Sequence, residues 1–179
     1  PGATVMGRIS QIIVPGARLG QAYAERLLAG VTPDTYARLA RPGGVVVKSN
    51  HAAFILGHLS LYPSRIMLFL KQPAGPTAFP PHYEPLFKAG AECQDDPDGH
   101  TYPPLPELQE RFLAGYKIAI DAVESAPDEA FDGPNPIEGR SRELFPTIGA
   151  AVTFYLIGHV QLHLGQLSTW RRAMGLPAA

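Results

Sequence analysis

The chain has 179 residues, 45% of them hydrophobic, and its 15 Lys and Arg nearly balance its 16 Asp and Glu. This length predicts a single domain over 1–179 with a substantial core, and without a basic stripe or charged tail nucleic acid is a poor candidate partner. The single cysteine, Cys93, excludes an internal disulfide framework and, with no signal-peptide pattern at the start of the sequence, predicts a cytoplasmic protein.

The first long helix is predicted over 9–29, where apolar residues recur at helical spacing. Pro15 lies near its start, so the helix either begins after Val14 or kinks at the proline. A short helix is predicted next, from Thr32, a favourable N-cap, to Leu39.

A turn at 41–44 precedes the second long helix, which is predicted over 51–70 with apolar residues on two sides. Ser49 or Asn50 is expected to cap its N-terminus, because both side chains can accept a hydrogen bond from a free backbone N–H group. Pro63 falls in the middle of this segment and predicts a kink or a break.

Residues 71–106 are rich in Pro and Gly and lack periodicity, which predicts a long loop between the second and third helices. Long ordered loops often bind ligands or cover sites. The loop also contains metal-ligand residue types, but their spacings match no zinc pattern, so solvated loop positions are favoured over a second metal site. These residues are His82, Tyr83, Cys93, Asp95, Asp96 and His100.

The third helix is predicted over 105–126, and the last runs from Phe145 or Pro146 to Met174. Four long helices without alternating strands predict an all-α fold, most economically an up-down four-helix bundle. The apolar run 148–167 is long enough to raise the question of a membrane span. Its two His and two Gln favour a buried bundle helix, so no membrane association is expected.

The last helix contains the segment on which the functional prediction depends. His159 and His163 are four residues apart, which places them on one helix face about 6 Å from each other, where they can share one divalent metal ion. The alternative is a pair of core histidines satisfied by hydrogen bonds. His58 on the second helix, next to Gly57, is the candidate third ligand. His51 lies seven residues before His58, about 10 Å away along the helix axis, and is expected at the helix start or at a cavity mouth.

Two segments, Ile55-Leu56-Gly57-His58-Leu59 and His159-x-x-x-His163-x-Gly165-Gln166, resemble the DinB-like superfamily, which includes the YfiT-type metal-dependent hydrolases. The resemblance covers nearly the whole chain and implies a homodimeric four-helix bundle. It also implies that His58, His159 and His163 bind Zn, Ni or a similar divalent ion. Family members include thiol S-transferases and isomerases that use low-molecular-weight thiols. Where many members carry Arg or His after the second ligand, this chain has Leu164.

Further residues are candidates to support the ligands or to bind substrate. Tyr62, Tyr155 and Gln166 are spaced to reach the histidines, although ordinary packing is the alternative for both tyrosines. His51 is a weaker candidate for the same role. Arg171 can bind an anionic substrate or interact with the dipole at the C-terminus of its helix.

Three neutral imidazoles leave a divalent ion with an open position, as in catalytic sites. Such an ion can lower the pKa of a bound water for hydrolysis, or bind a thiol cosubstrate as thiolate. The sequence therefore predicts a metal-dependent enzyme of the thiol transferase or hydrolase type that acts on a small molecule. The alternative is a non-catalytic bundle that holds metal as a sensor, store or structural pin, or that functions through its dimer surface.

Overall fold

The computed structural model describes residues 6–179 and is all-helical, as predicted; no β-strand forms in this range. In chain order the helices are α1 (Arg8–Leu28), α2 (Ala52–Leu59), α3 (Pro63–Phe69), α4 (Tyr83–Phe87), α5 (Leu105–Ser125), α6 (Arg140–Leu144), α7 (Ile148–Thr153) and α8 (His159–Ala173). Short 3₁₀ turns form at Pro42–Gly44, Gly75–Thr77 and Asp128–Phe131. A π-helical turn, Phe154–Gly158, joins α7 to α8.

Four long helical stretches supply most of the core: α1, α5, the α2–α3 pair and the α7–α8 pair. Helix α1 packs against α5 and α8, α2 packs against the same two helices, and α3 packs against α5. Their buried apolar side chains form a single cluster. Because α2 and α8 are neighbours, the histidines that the sequence singles out are carried by two helices in contact.

Helix α1 runs from Arg8 to Leu28, close to the predicted range 9–29, and includes Pro15, so the alternative of a start after Val14 is excluded. Proline lacks the N–H group that would bond the carbonyl of Gln11. Pro15 and Gln11 are both exposed, and water can therefore hydrate that carbonyl. The buried face of the helix is unaffected by the proline.

The prediction of a short helix from Thr32 to Leu39 is wrong, because the segment forms turns. Carbonyl groups in its second half bond to distant segments and are not available for a helical ladder. The carbonyl of Tyr36 accepts the N–H of Ala53 at 2.9 Å, and that of Ala37 accepts the N–H of Asp96 at 3.0 Å. The segment therefore joins α2 to the long loop.

Helices α2 and α3 are separate, because the chain breaks between Leu59 and Pro63 as the proline predicted. Pro63 is the first residue of α3. At this position an N–H group would have no hydrogen-bond partner within the helix, so a proline causes no loss. The N-terminus of α2 is capped by His51 and not by Ser49 or Asn50. The Nδ1 atom of His51 accepts the N–H of Phe54 at 3.2 Å.

The segment predicted as an irregular loop contains helix α4, which sequence analysis missed. Phe87 at its end is fully buried, and its ring fills the space beside Gly57, where a Cβ atom would overlap it. Tyr83 and Tyr102 pack on the same ring, with centroids 5.3 and 5.7 Å from it. Aromatic burial therefore orders this loop and holds α4 against α2.

Two acidic residues fix the rest of the loop. The Asp95 carboxylate accepts hydrogen bonds from the Leu39 N–H at 2.8 Å and from the side chains of Arg38 and Arg41, each at 3.0 Å. Asp96 accepts the backbone N–H groups of residues 100–102. Both carboxylates are thus used to close the loop. The prediction of solvated loop positions is wrong for Asp96 and Tyr83, which are buried.

The last helix begins at Ile148 and not at Phe145 or Pro146, because the Thr147 hydroxyl caps it by accepting the N–H of Ala150. From there the helical backbone continues to Ala173 through the π-helical turn. Within that turn the N–H of His159 bonds to the carbonyl of Phe154, five residues earlier.

Two stretches, Ala52–Phe69 and Ile148–Ala173, are long and apolar enough to cross a membrane when only length and composition are considered. In their most apolar windows 78% and 50% of the residues are buried inside the protein. Core helices pass the same test, so these stretches are weak evidence for a membrane span.

Replacing Asp95 by Asn is expected to lower the unfolding free energy by about 1–3 kcal/mol, because charged hydrogen bonds to three donors are weakened. Hydrogen bonding to Arg38 holds the pKa of Asp95 well below its usual range. The folded state therefore favours the ionised form, and this contribution is present above about pH 4 and lost as the pH falls further. Urea unfolding followed by circular dichroism should show the two proteins converging below pH 4.

The exposed residue Asp98 offers a matched control, and Asp98→Asn should unfold like the wild type. Equal stability of Asp95→Asn and Asp98→Asn at pH 7 would contradict the assigned role of Asp95.

Candidate metal centre

His58 on α2 and His159 and His163 on α8 form a buried group that can hold a metal ion. The Nε2 atom of His159 lies 3.2 Å from Nε2 of His58 and 3.1 Å from Nε2 of His163. The exposed fractions are 5% for His58, 9% for His159 and 8% for His163. The helical spacing of the α8 pair and the contact between α2 and α8 together bring three imidazole nitrogens to one point.

Hydrogen bonds at the far sides of two rings fix which nitrogen carries the proton. The Nδ1 atom of His58 lies 2.6 Å from the carbonyl oxygen of Phe87, which only accepts, so Nδ1 must donate. The Nδ1 atom of His163 lies 3.0 Å from Oε1 of Gln166, to which it donates in the same way. In both neutral rings Nε2 is then left with a free lone pair that faces His159.

Proton counting shows that hydrogen bonds among the three rings cannot account for both close contacts of His159. Nε2 of His159 carries at most one proton, so at most one of its two close contacts can be a hydrogen bond. The Tyr62 hydroxyl, 3.3 Å from Nε2 of His58, can donate to that atom but places no proton between the two rings. A cation among the three Nε2 atoms would use all three lone pairs.

The spacing of the nitrogens also fits a metal ion. Tetrahedral ligands about 2.05 Å from zinc are about 3.3 Å apart, close to the two separations of 3.1 and 3.2 Å. Three imidazoles leave a fourth position open, which distinguishes catalytic from structural zinc sites. Imidazole nitrogens suit several divalent metals, zinc and nickel among them.

Burial keeps the three rings in the neutral form that a metal requires. Desolvation, assisted by the neighbouring imidazoles, lowers the pKa of His159 to about 3 and that of His163 to about 4. Desolvation also lowers the pKa of His58. At neutral pH the three rings are therefore uncharged, and in His58 and His163 Nε2 already has the lone pair that an ion requires.

Both tyrosines proposed from the sequence lie at the cluster. The ring of Tyr62 packs edge-on against His159, with centroids 4.5 Å apart, and stacks on Tyr155 at 5.1 Å. Burial raises the pKa of Tyr62, so its hydroxyl remains protonated beside His58. The Tyr155 hydroxyl accepts a hydrogen bond from Arg65 at 3.0 Å and does not bond to a histidine in this structure.

Gln166 supports His163, as the sequence predicted, and is itself held by Asn50. The Nδ2 group of Asn50 donates to the same Oε1 atom at 3.0 Å. Oε1 of Gln166 accepts hydrogen bonds from both Asn50 and Nδ1 of His163. These bonds fix the orientation of the Gln166 amide and keep the proton of His163 on Nδ1. Partners of this kind commonly set ligand orientation and basicity in metal sites.

Two other residues proposed from the sequence have structural roles. His51 uses Nδ1 to cap α2 and donates from Nε2 to the Gln94 carbonyl at 2.8 Å, so neither nitrogen is free. Arg171 is 4% exposed and donates to the backbone carbonyls of Leu27, Ala29 and Pro177. The proposed clamp for an anionic substrate is thus wrong for Arg171, which joins the end of α8 to the end of α1.

Sequence analysis missed three groups at the site: the Phe87 carbonyl, Asn50 as a partner of Gln166, and Arg65. A backbone carbonyl has no sequence signature, and the position of Asn50 before α2 indicates only a helix cap. Arg65 lies seven residues after His58, close to two turns along the same segment, and this spacing was the available signal. In residues 6–179 no other group of three potential ligands converges in this way.

In comparisons with known proteins, no family model, no curated protein and no solved structure matches this chain. The DinB-like assignment therefore stays a proposal that depends on the sequence motifs.

Replacing Gln166 by Ala is expected to weaken zinc binding by about 10–100-fold, because His163 loses the partner that fixes its tautomer. Competition with a chromophoric chelator would measure the affinity. The control is Gln161→Ala, an exposed glutamine on the same helix, which should bind zinc like the wild type. Equal losses in both variants would show that α8 stability, and not the hydrogen bond, controls affinity.

The metal-free protein is expected to lose stability as the pH falls from 7 to 5. Because the pKa values of His159 and His163 lie below the value of about 6.5 in an unfolded chain, the unfolded state takes up more protons in this range. Replacing His163 by Phe removes one of these groups and should flatten the decline. Urea unfolding of chelator-treated protein checks this, and an unchanged slope in His163→Phe would refute it.

Proposed function

We propose that this protein is a divalent-metal-dependent enzyme of the DinB-like type, a thiol S-transferase or hydrolase that acts on a small molecule. The observation that carries the proposal is the convergence of three neutral imidazole Nε2 atoms in a buried site. Such a site can hold a divalent ion and leave a coordination position open.

The arrangement of the helices supports the family assignment. The four long stretches contact one another as α1 with α5, α5 with the α2–α3 pair, α2 with α8, and α8 with α1. These contacts support a four-helix bundle, the architecture in which ligands on facing helices commonly build metal sites. The histidines occupy the second and last of these stretches, as the DinB-like motifs imply.

The charge of the site favours reaction with an anionic nucleophile. Three neutral ligands do not offset the charge of a divalent ion, and no carboxylate of residues 6–179 bonds to the three histidines. When bound, the ion would supply Lewis acidity and stabilise a thiolate or a deprotonated water at neutral pH. Tyr62 presents a protonated hydroxyl at the same place, from which it can donate to the reacting molecule.

A cytoplasmic location and a homodimer complete the proposal. Apolar side chains remain exposed on α1 and α8: Ile12 is 77% exposed, Leu19 63% and Leu162 57%. A second copy of the chain would cover such side chains in a dimer.

The purified protein is expected to contain about one equivalent of zinc or nickel, measured by inductively coupled plasma mass spectrometry. His58→Ala and His159→Ala should each lose the metal, since two remaining imidazoles bind weakly. Their helical circular dichroism should persist, because the core cluster is apolar. His82→Ala, at an exposed histidine outside the site, is the matched control and should retain the metal.

Metal removal separates an enzyme from a structural metal protein. If the site is catalytic, the protein should lose its activity but little of its stability when the metal is removed. If the metal is a structural pin, its removal should unfold most of the protein. Activity is assayed with 1-chloro-2,4-dinitrobenzene and a low-molecular-weight thiol, and with p-nitrophenyl acetate. A protein that takes up neither zinc nor nickel, or that unfolds when stripped, would rule the proposal out.

A further inference from the structure

We propose that a cavity of about 290 Å³ next to the three histidines binds the substrate, and that Arg65 selects molecules carrying a carboxylate group. The inference rests on the proposed function, since the molecule in this cavity would be the one that reacts at the metal. Tyr62, Arg65, Phe79, Glu84 and Lys88 are among the residues that line it. Its volume is near the lower end of the range for small-molecule sites.

Tyr62 places this cavity beside the metal centre. Its side chain lines the cavity, while its hydroxyl lies 3.3 Å from Nε2 of His58 and its ring packs on His159. A molecule in the cavity is therefore separated from the histidines by one side chain.

Arg65 is a half-buried cation without an acidic partner. Its guanidinium lies over the rings of Tyr62 and Tyr155, 5.1 and 5.4 Å from their centroids, and donates one hydrogen bond, to the Tyr155 hydroxyl. Within residues 6–179 no carboxylate forms an ion pair with it. By contrast, Arg38 and Arg111, each with a side chain 33% exposed, are paired with Asp95 and Glu107.

This geometry suits a planar anion. A guanidinium has five N–H donors, and two of them can bind both oxygens of one carboxylate. The aromatic rings hold Arg65 in place, so little conformational freedom is lost when such a ligand binds. Two further charges favour an anion: Lys88 at the cavity rim and the ion at the histidines. Glu84 is exposed and is the one acidic residue in the lining.

The test uses cobalt(II)-loaded protein and two thiols of nearly equal size, 3-mercaptopropionate and its neutral amide, 3-mercaptopropanamide. Each thiolate can bind the cobalt ion and give a charge-transfer absorption band, from which a dissociation constant is obtained. The wild type is expected to bind the carboxylate at least about tenfold more tightly than the amide, as a charged hydrogen bond would require. In Arg65→Gln most of this preference should be lost while amide binding is unchanged.

Controls separate Arg65 from general effects of charge and folding. Arg111→Gln removes an arginine that lies over Tyr83, outside the cavity lining, and should keep the preference. Arg65→Lys retains the charge but lacks the paired N–H donors, so it should show an intermediate preference for the carboxylate. This variant also tests the role of Arg65 if Arg65→Gln folds poorly. A wild type that binds both thiols equally, or an Arg65→Gln protein that keeps the preference, would overturn the inference. Failure of the proposed function would appear earlier, as absence of cobalt uptake.

Discussion

The hydrogen bond between Nδ1 of His58 and the Phe87 carbonyl, 2.6 Å long, is the interaction on which the site depends. It orients the ring, places the proton on Nδ1 and leaves Nε2 free toward α8. The carbonyl is in position because Phe87 is buried in the space that Gly57 leaves open. A larger residue at position 57 would displace the ring and the carbonyl with it. Helix α4 and its loop are therefore part of the metal centre, although they contribute no ligand.

The opposite side of the centre is built differently. Helix α8 fixes the separation of His159 and His163 through its own geometry, and Gln166 supports His163 from within the same helix. Asn50, which precedes α2, connects this arrangement to another element through its hydrogen bond to Gln166. The two ligands on α8 are thus oriented by local structure, whereas His58 depends on a segment 29 residues away in sequence. Desolvation from both sides keeps all three rings neutral.

Helical periodicity was sufficient to predict the long helices, and the four-residue spacing was sufficient to place His159 and His163 together. The break at Pro63 followed from the chemistry of proline. Helix α4 was missed because its short aromatic pattern lies among prolines and glycines, and tertiary packing decides its conformation. The helix expected after Thr32 does not form, because long-range hydrogen bonds occupy the carbonyls of Tyr36 and Ala37. Such long-range bonds depend on neighbours in the folded structure that a single sequence does not specify. The same is true of the cation for an anionic substrate: the sequence indicates Arg171, but the structure uses Arg171 to bind backbone carbonyls and leaves Arg65 available.

The π-helical turn at Phe154–Gly158 holds one residue more than an α-helical turn would need. Each residue rotates an α-helix by about 100°. Loss of one residue from this turn would therefore turn the whole of α8 relative to α7 and move both histidines away from His58. Point substitutions on the exposed face of α8 have no such effect. The length of this short segment is consequently under tighter constraint than the identity of most of its surface residues, and insertions or deletions there are the sequence changes that the site can least tolerate.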